Sequence, residues 1–265
     1  MSNICVANGV AQLDEMIEAV IYIGGIPKIK TAPLNYQAVY SLQSVFNAYN
    51  RPALIFRQGT AAEVEPLSGM ESINFAEPIG KLEAFYTDGL GPLMLTMKGK
   101  ITSDLGEKTL HYPGFADRVK FLKSCGLLED KPVLLDSTEI VPLDLLVHQL
   151  APKLKLGPEG DWLVMRVIVK GIKDAKKQTH IFELIDEFDA VTQYTAMART
   201  TGFPATYTAR MIVNGLLSEK GVQFPEQIFI AERYDSLLSN LAGYGIQIIH
   251  KSIDSLFYEV HLVNL

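Results

Sequence analysis

Two adjacent glycines at the end of a predicted strand mark one place in this 265-residue chain where a ligand could meet the backbone. The run 19–23, Ala-Val-Ile-Tyr-Ile, is rich in β-branched and aromatic residues and predicts a buried strand. Gly24, Gly25 and Pro27 follow directly. The glycines adopt backbone angles that other residues resist and the proline interrupts the ladder, so a ligand can approach such a strand end closely.

Signatures of several common catalytic sites do not occur in the sequence. There is no Gly-x-Gly-x-x-Gly after a strand and no Gly-x-x-x-x-Gly-Lys-Ser/Thr, the two loops that bind nucleotide phosphates. The five histidines lack His-x-x-x-His spacing, and the two cysteines, Cys5 and Cys125, lie far apart. We therefore predict no metal site, no disulfide framework and no local nucleophile signature.

Composition and charge narrow the class of protein. The net charge of −6 gives no electrostatic reason to expect nucleic acid or an anionic membrane as a partner. No apolar run approaches the ~20 residues that a membrane helix needs, and the first residues show no signal-peptide pattern. We expect a cytoplasmic protein with two reduced cysteines.

The elements that must position the glycine turn mix strands and helices irregularly. Strands are predicted over 19–23, 53–56, 73–75, 82–86, 108–112, 162–170, 178–186, 194–199, 246–250 and 256–263. Helices are predicted over 4–16 and 115–122, from Pro142, from about Phe203 and around 234–241. This pattern favours an α+β fold, a mixed and mostly antiparallel sheet covered by helices, over a doubly wound parallel fold. Residues 162–199 are predicted to form one antiparallel meander.

Six short segments in a fixed order carry a family resemblance. They are 1–4 (Met-Ser-Asn-Ile), 20–27 (Val-Ile-Tyr-Ile-Gly-Gly-Ile-Pro), 82–89 (Leu-Glu-Ala-Phe-Tyr-Thr-Asp-Gly), 107–114 (Glu-Lys-Thr-Leu-His-Tyr-Pro-Gly), 195–203 (Thr-Ala-Met-Ala-Arg-Thr-Thr-Gly-Phe) and 221–226 (Gly-Val-x-x-Pro-Glu). Together they resemble the saccharopine dehydrogenase family, which includes lysine 6-dehydrogenase. The run 166–169 with the Gly171 hairpin is most similar to the lysine 6-dehydrogenase branch.

The resemblance implies the catalytic and substrate-binding half of an oxidoreductase. Family members hold NAD or NADP in an N-terminal Rossmann domain and oxidise a C–N bond of a small amino-acid substrate by hydride transfer. Residues 1–200 would form the catalytic and dimerisation domain of a homodimer. Residues 201–265 would form helices and a strand hairpin that pack against the nucleotide-binding domain. The chain is expected to be inactive alone and to need a Rossmann portion in cis or in trans.

Amine oxidation needs a proton acceptor and groups that hold the substrate, and the resemblance places candidates for both. The catalytic candidates are Glu83, Asp88, His111 and Tyr112. The candidates for the substrate cleft are Ser2, Asn3, Gly24, Gly25, Pro27, Phe85, Thr87, Pro113 and Gly114. The candidates for cofactor contacts are Arg199, Thr200 and Thr201. Ordinary structural roles stay open for these residues, including a turn at Asp88 and interdomain hydrogen bonds at 199–201.

Two departures from the family pattern bear on function. The family usually has Arg-Tyr-Pro-Gly-His where this chain has His111 and Phe115 at the outer positions. An arginine grips a carboxylate bidentately, whereas a histidine near neutral pH mostly cannot and a phenylalanine does not titrate. Either the substrate differs or the activity is reduced. The alternative function is a non-enzymatic module, derived from such an enzyme, that dimerises or binds a small molecule.

Overall fold

The computed structural model describes residues 1–254, which form a nine-stranded mixed sheet with helices packed on it and a separate two-stranded sheet. The strands are β1 (Glu15–Pro27), β2 (Ala53–Arg57), β3 (Thr60–Val64), β4 (Glu71–Asn74), β5 (Lys81–Tyr86), β6 (Leu105–His111), β7 (Val133–Leu135), β8 (Thr138–Ile140), β9 (Asp161–Lys173), β10 (Lys176–Glu187) and β11 (Ile249–Asp254). The helices are α1 (Ser2–Ala11), α2 (Leu42–Asn47), α3 (Leu93–Thr96), α4 (Phe115–Ser124), α5 (Pro142–Leu150), α6 (Ala196–Val213), α7 (Pro225–Ile228) and α8 (Glu232–Ala242). No helix in this part of the chain is long and apolar enough to cross a bilayer.

Strand β1 lies at the centre of the sheet. The strand order in the sheet is β11-β10-β9-β1-β6-β2-β3. In addition, β5 pairs with β6, and β4 pairs with β5. The pair β1–β6 is parallel, and the other pairs described for this sheet are antiparallel. The predicted α+β architecture with a mostly antiparallel sheet is confirmed.

The sheet buries both faces, as expected for strands that read as nearly continuous apolar runs. On one face, Ile21, Met165 and Phe182 pack with α1 and α8 in a first core. Further along the same face, a second core gathers around α2, α4 and α5, with Phe85 in it. On the opposite face, apolar side chains of β4 and β5 pack with Tyr22 in a third core. The functional candidates on β6 lie between the first two cores.

Two buried carboxylates fix the helices that flank this region. Asp161, fully buried at the start of β9, accepts hydrogen bonds from the backbone N–H groups of Ala196 (2.7 Å) and Met197 (3.0 Å). Glu83 on β5 accepts hydrogen bonds from the N–H groups of Gly114 and Ala116, both at 2.7 Å. Each carboxylate satisfies donors that the first turn of a helix leaves free, α6 and α4 respectively.

One predicted strand is wrong. Residues 194–199, predicted as the third strand of the meander, instead lead into α6, which begins at Ala196. The third strand is β11, which pairs with β10 from Glu183–Ile249 to Gln178–Asp254. Local strand propensity is overridden because Asp161 binds the first N–H groups of the helix. The predicted strand 256–263 and His261 lie outside the described residues.

The predicted division at residue 200 falls inside a helix. Helix α6 runs through that position, and residues 228–246 contribute Phe229, Tyr234 and Leu241 to the same core as Ile4 of α1. The division into 1–200 and 201–265 stays a prediction, as does the homodimer. The helix predicted from about Phe203 exposes several apolar residues: Ala205, Ala209, Ile212 and Val213 on α6, and Leu216 just after it.

Replacing the α6 cap should lower stability measurably. We expect Asp161→Ala to reduce the free energy of unfolding by about 2 kcal/mol, because two buried N–H groups lose their acceptor. Urea denaturation gives the stability, and hydrogen exchange at Ala196 and Met197 reports the first turn of α6. The matched variant Asp130→Ala, at an exposed position, should change neither. Equal effects of the two substitutions would show that the cap does not hold α6.

Candidate active site

A cavity of about 430 Å³ opens on the sheet face between the first two cores. Its volume is in the range of roughly 300–1,000 Å³ that small-molecule sites occupy. The lining comes from β1, β6, β9 and α6, together with Met1 and one loop residue. The residues are Met1, Ile23, Gly24, Gly25, Tyr40, Glu107, Thr109, Leu163, Met165, Met197, Thr200, Thr201 and Pro204.

Strand register brings the polar part of this lining together. Because β1 and β6 run parallel with Ile21 opposite Glu107 and Ile23 opposite Thr109, these four side chains share one face of the sheet. Thr87, which follows β5, joins its hydroxyl to that of Thr109 at 2.6 Å. The segments 20–27 and 107–114 therefore line one cavity, and the segment 82–89 contacts two of its lining side chains, Thr109 and Glu107.

Glu107 is the carboxylate that faces the cavity, and Gly89 makes room for it. A Cβ atom at position 89 would lie 1.6 Å from Oε1 of Glu107, so a side chain there would force the carboxylate to move. Unlike Glu83 and Asp161, the Glu107 carboxylate receives no hydrogen bond from the residues the structure describes. A carboxylate without a structural partner is free to bind a ligand.

Burial shifts the pKa of Glu107 towards neutrality. Removal from water raises the pKa of Glu107 to about 7; the N-terminal ammonium of Met1 opposes this rise and the charge of Asp88 adds to it. The side chain keeps some exposure because it borders the cavity, while protein surrounds it elsewhere. A pKa near neutrality suits a group that accepts and returns protons at physiological pH.

The predicted glycines line the cavity, but packing explains their identity. A Cβ atom at Gly24 would lie 2.4 Å from the carbonyl oxygen of Leu110. At Gly25 it would lie 2.5 Å from Cε of Met197. Both glycines therefore permit β6 and α6 to approach β1 closely. Their backbone still forms the floor of the cavity.

None of the four predicted catalytic residues lines the cavity. Glu83 caps α4, and His111 is buried in the second core with its Nε2 atom 3.0 Å from the Tyr49 hydroxyl. Tyr112 is also buried and donates its hydroxyl to the carbonyl of Pro27 at 3.0 Å. Asp88 is exposed and acts on the site through its charge on Glu107.

The departure at His111 forms a structural pair with the departure at Phe115. The two rings stack with centroids 3.7 Å apart. Burial lowers the pKa of His111 to about 3, so the imidazole is neutral at physiological pH. It can neither grip a carboxylate as an arginine would nor serve as a proton carrier for the cavity.

Of the other predicted residues, some line or contact the cavity and the rest do not. Thr200 and Thr201 line the cavity from α6, with the Thr200 hydroxyl bound to the Ala196 carbonyl at 2.8 Å. Thr87 reaches the cavity through Thr109. The remaining candidates do not line it: they are Ser2, Asn3, Pro27, Phe85, Pro113, Gly114 and Arg199. Phe85 belongs to the second core, and Gly114 is the N-cap residue of α4.

Arg199 does not offer a free cation. Its Nε and one terminal nitrogen bind Asp186 at 2.8 and 3.2 Å, and the other terminal nitrogen binds Asp189 at 3.1 Å. It also donates to the carbonyl of Tyr244 at 2.8 Å. These bonds tie the start of α6 to β10 and to the end of α8.

Nine lining residues were not among the predicted site residues. They are Met1, Ile23, Tyr40, Glu107, Thr109, Leu163, Met165, Met197 and Pro204. Glu107 and Thr109 stand inside the recognised segment 107–114 and alternate with Lys108 and Leu110. Strand alternation in that segment predicts a shared face for Glu107 and Thr109, which is the signal that could have identified them. The contribution of Met165 and Met197 depends on pairing and helix packing that the sequence does not display.

Comparison with known proteins gives a consistent picture. A family model described as the saccharopine dehydrogenase C-terminal domain matches residues 1–246. The mitochondrial alpha-aminoadipic semialdehyde synthase of Bos taurus is 32% identical over 136 residues. That match covers 50% of this chain and only 14% of the relative, so the chain spans a small part of that protein's length.

Two solved structures share the fold. The apo saccharopine dehydrogenase (L-Glu forming) of Saccharomyces cerevisiae superposes with a TM-score of 0.74 at 18% identity, covering 94% of this chain and 72% of that one. The homospermidine synthase of Legionella pneumophila in complex with NAD gives a TM-score of 0.54 at 13% identity, covering 96% and 57%. At these identities the likeness shows a common fold.

The His111–Tyr49 pair should behave as a structural unit. His111→Phe and Tyr49→Phe each leave one buried polar atom without its partner, which we expect to cost about 1–3 kcal/mol. The double variant removes both polar atoms and should be less destabilised than the sum of the single variants. Urea denaturation at neutral pH measures all three. Strictly additive losses would contradict a coupled buried pair.

The raised pKa of Glu107 predicts a pH-dependent stability difference. The ionised form is disfavoured in the fold, so the wild type should lose stability as the pH rises from about 4.5 to about 7. The pKa difference corresponds to about 3 kcal/mol. Glu107→Gln should therefore be more stable than the wild type at about pH 8, and equally stable at about pH 4.

Urea denaturation of both proteins at the two pH values checks this difference. Glu63→Gln, at an exposed position on β3, is the matched control and should show no pH-dependent difference. A constant difference between Glu107→Gln and the wild type at both pH values would mean that Glu107 ionises as freely as in water.

Proposed function

This chain belongs to the family of the saccharopine dehydrogenase C-terminal domain, and we propose that it is the catalytic part of an NAD(P)-dependent oxidoreductase that oxidises a C–N bond. One observation carries the proposal: a carboxylate with a pKa of about 7, Glu107, faces a cavity with no structural hydrogen bond of its own from the described residues. Amine oxidation needs such a proton acceptor.

The residues of the cavity divide the work of the reaction. Glu107 would accept the proton from the substrate nitrogen as the lone pair of that nitrogen forms the C=N bond. The Thr109 hydroxyl, held by Thr87, would fix the polar end of the substrate. The side chains of Leu163 and Met165 would hold its carbon chain and exclude water. The backbone at Gly24 and Gly25 would form part of the wall against which the substrate lies.

The chain would supply only part of a dinucleotide site. A nicotinamide, when bound, supplies the acceptor for the hydride that leaves the carbon next to nitrogen. Of the predicted cofactor contacts, Arg199 does not fit because its donors are taken by Asp186, Asp189 and Tyr244. Thr201, exposed at the cavity mouth, fits a contact with the cofactor.

We propose that the rest of the cofactor binds to a nucleotide-binding domain supplied in cis or in trans. The exposed apolar positions of α6 support a docking surface for it, since Ile212 is 58% and Val213 85% exposed. Pro204 and Thr201, on the same helix, border the cavity. A domain seated on α6 would therefore close the cavity mouth.

Turnover tests the proposal. A nucleotide-binding domain from a family member is fused before Met1 or added in trans, and reduction of NAD or NADP is followed with a panel of amino acids and alkyl amines. We expect turnover, with a rate that rises with pH through about 7 as Glu107 loses its proton. Glu107→Gln should lower the rate about 10²–10⁴-fold and abolish that rise.

Gly89→Ala provides an independent probe of the same carboxylate. A methyl group at position 89 would displace Glu107, so we expect a similar loss of rate without any change of acid–base group. Glu63→Gln on β3 should keep the wild-type rate. Full activity in Glu107→Gln would refute the proposal, and so would a fusion that binds NAD(P) but turns over no amine. Amine binding without turnover would favour the non-enzymatic module.

A further inference from the structure

A two-stranded hairpin stands apart from the rest of the fold. In the described part of the chain, β7 and β8 pair with each other and with no other strand. Together with the residues that lead into β7 they form an arm, residues 129–140, between α4 and α5. Residues 129–139 are all exposed. A lone two-stranded hairpin is marginally stable in water, so packing against another surface would stabilise the arm.

The arm carries apolar side chains into solvent. The side chains of Val133, Leu134 and Leu135, the whole of β7, are exposed by half or more. Because strand side chains alternate, Leu134 lies on one face of the arm and its two neighbours lie on the other. The strand register sets Glu139 opposite Leu134, so this face combines an apolar group with an acidic one. Exposed apolar groups that cluster in this way mark an interaction site.

Helix α4 presents a matching surface close to the base of the arm. It buries one side in the second core and exposes Phe121, which is 67% accessible. Arg118 and Lys120 are exposed beside Phe121. The arm begins five positions after Ser124, the last residue of α4, so its base lies within about 18 Å of that helix end. The two surfaces therefore lie at the same end of the molecule.

The arm and the helix carry opposite charges. The arm contains four acidic side chains and one lysine, whereas α4 contains three basic side chains and one aspartate. Within residues 1–254, the charged side chains of the arm form no ion pair. Opposite charges attract across an interface, and like charges placed together disfavour it. Contact of an arm with α4 is therefore favoured over contact between two arms.

We propose that the arm of one copy of this chain packs on α4 of a second copy, and the reverse, in a two-fold symmetric dimer. In a two-fold interface each copy contributes both surfaces, so one arrangement covers both arms and both helices. Leu134 packs beside the partner's Phe121, and Glu139 lies near the partner's Arg118 and the partner's Lys120. A second copy is the occupant because the chain itself supplies the complementary surface.

Substitution of the central apolar residue tests the interface on the full chain. Sedimentation equilibrium gives the dissociation constant of the dimer. Leu134→Asp should raise it at least about tenfold, because a carboxylate would be buried in an apolar contact. The matched control is Val213→Asp, at an exposed apolar position of α6, which should leave the dimer unchanged. Both positions are exposed, so both variants should keep the wild-type circular dichroism.

Charge reversal tests which surfaces meet. One variant reverses the arm (Asp130→Lys with Glu139→Lys), and another reverses the helix (Arg118→Glu with Lys120→Glu). Each variant alone brings like charges together twice, so we expect it to self-associate about tenfold more weakly than the wild type. A mixture of the two variants restores opposite charges at both contacts and should form a heterodimer as tight as the wild-type dimer. Native mass spectrometry separates the heterodimer from the homodimers by mass.

Three results would overturn the proposal. The first is a chain that stays monomeric up to about 100 μM, an affinity too weak for a specific dimer. The second is a dimer that Val213→Asp weakens and Leu134→Asp does not, which would place the contact on α6. The third is a mixture of the charge-reversed variants with no preference for the heterodimer, which would show that the arm does not meet α4. Amine oxidation at Glu107 is independent of each.

Discussion

The pairing of β1 with β6 is the constraint on which the site depends. Parallel register places Ile21 beside Glu107 and Ile23 beside Thr109, while β9 runs antiparallel along the other edge of β1. The strands come this close because Gly24 has no side chain to meet the Leu110 carbonyl. Without that approach, the floor and the carboxylate of the cavity would not lie on one face.

Three carboxylates of this region illustrate how partners decide function. Glu83 and Asp161 each accept two backbone N–H groups and hold a helix start in place. Glu107 faces a cavity with no such partner among residues 1–254, and its pKa rises to about 7. The same chemical group is therefore structural where its hydrogen bonds are satisfied and available to a ligand where they are not.

The two departures from the family pattern are best understood together. His111 and Phe115 stack on each other inside the second core, where Tyr49 satisfies the imidazole. A charged arginine in that position would need an anionic partner in an apolar setting. In this chain the two positions form a neutral, packed pair.

The sequence by itself determined the α+β class, most of the strands and helices, and the three segments that meet at the cavity. These follow from local periodicity and turn residues, which act over a few positions. Only the tertiary structure decided that 194–199 lead into a helix, because the cap comes from Asp161, 35 positions earlier. It also decided that Glu107, and not Glu83, faces the cavity, since a carboxylate's role depends on which distant backbone N–H groups reach it.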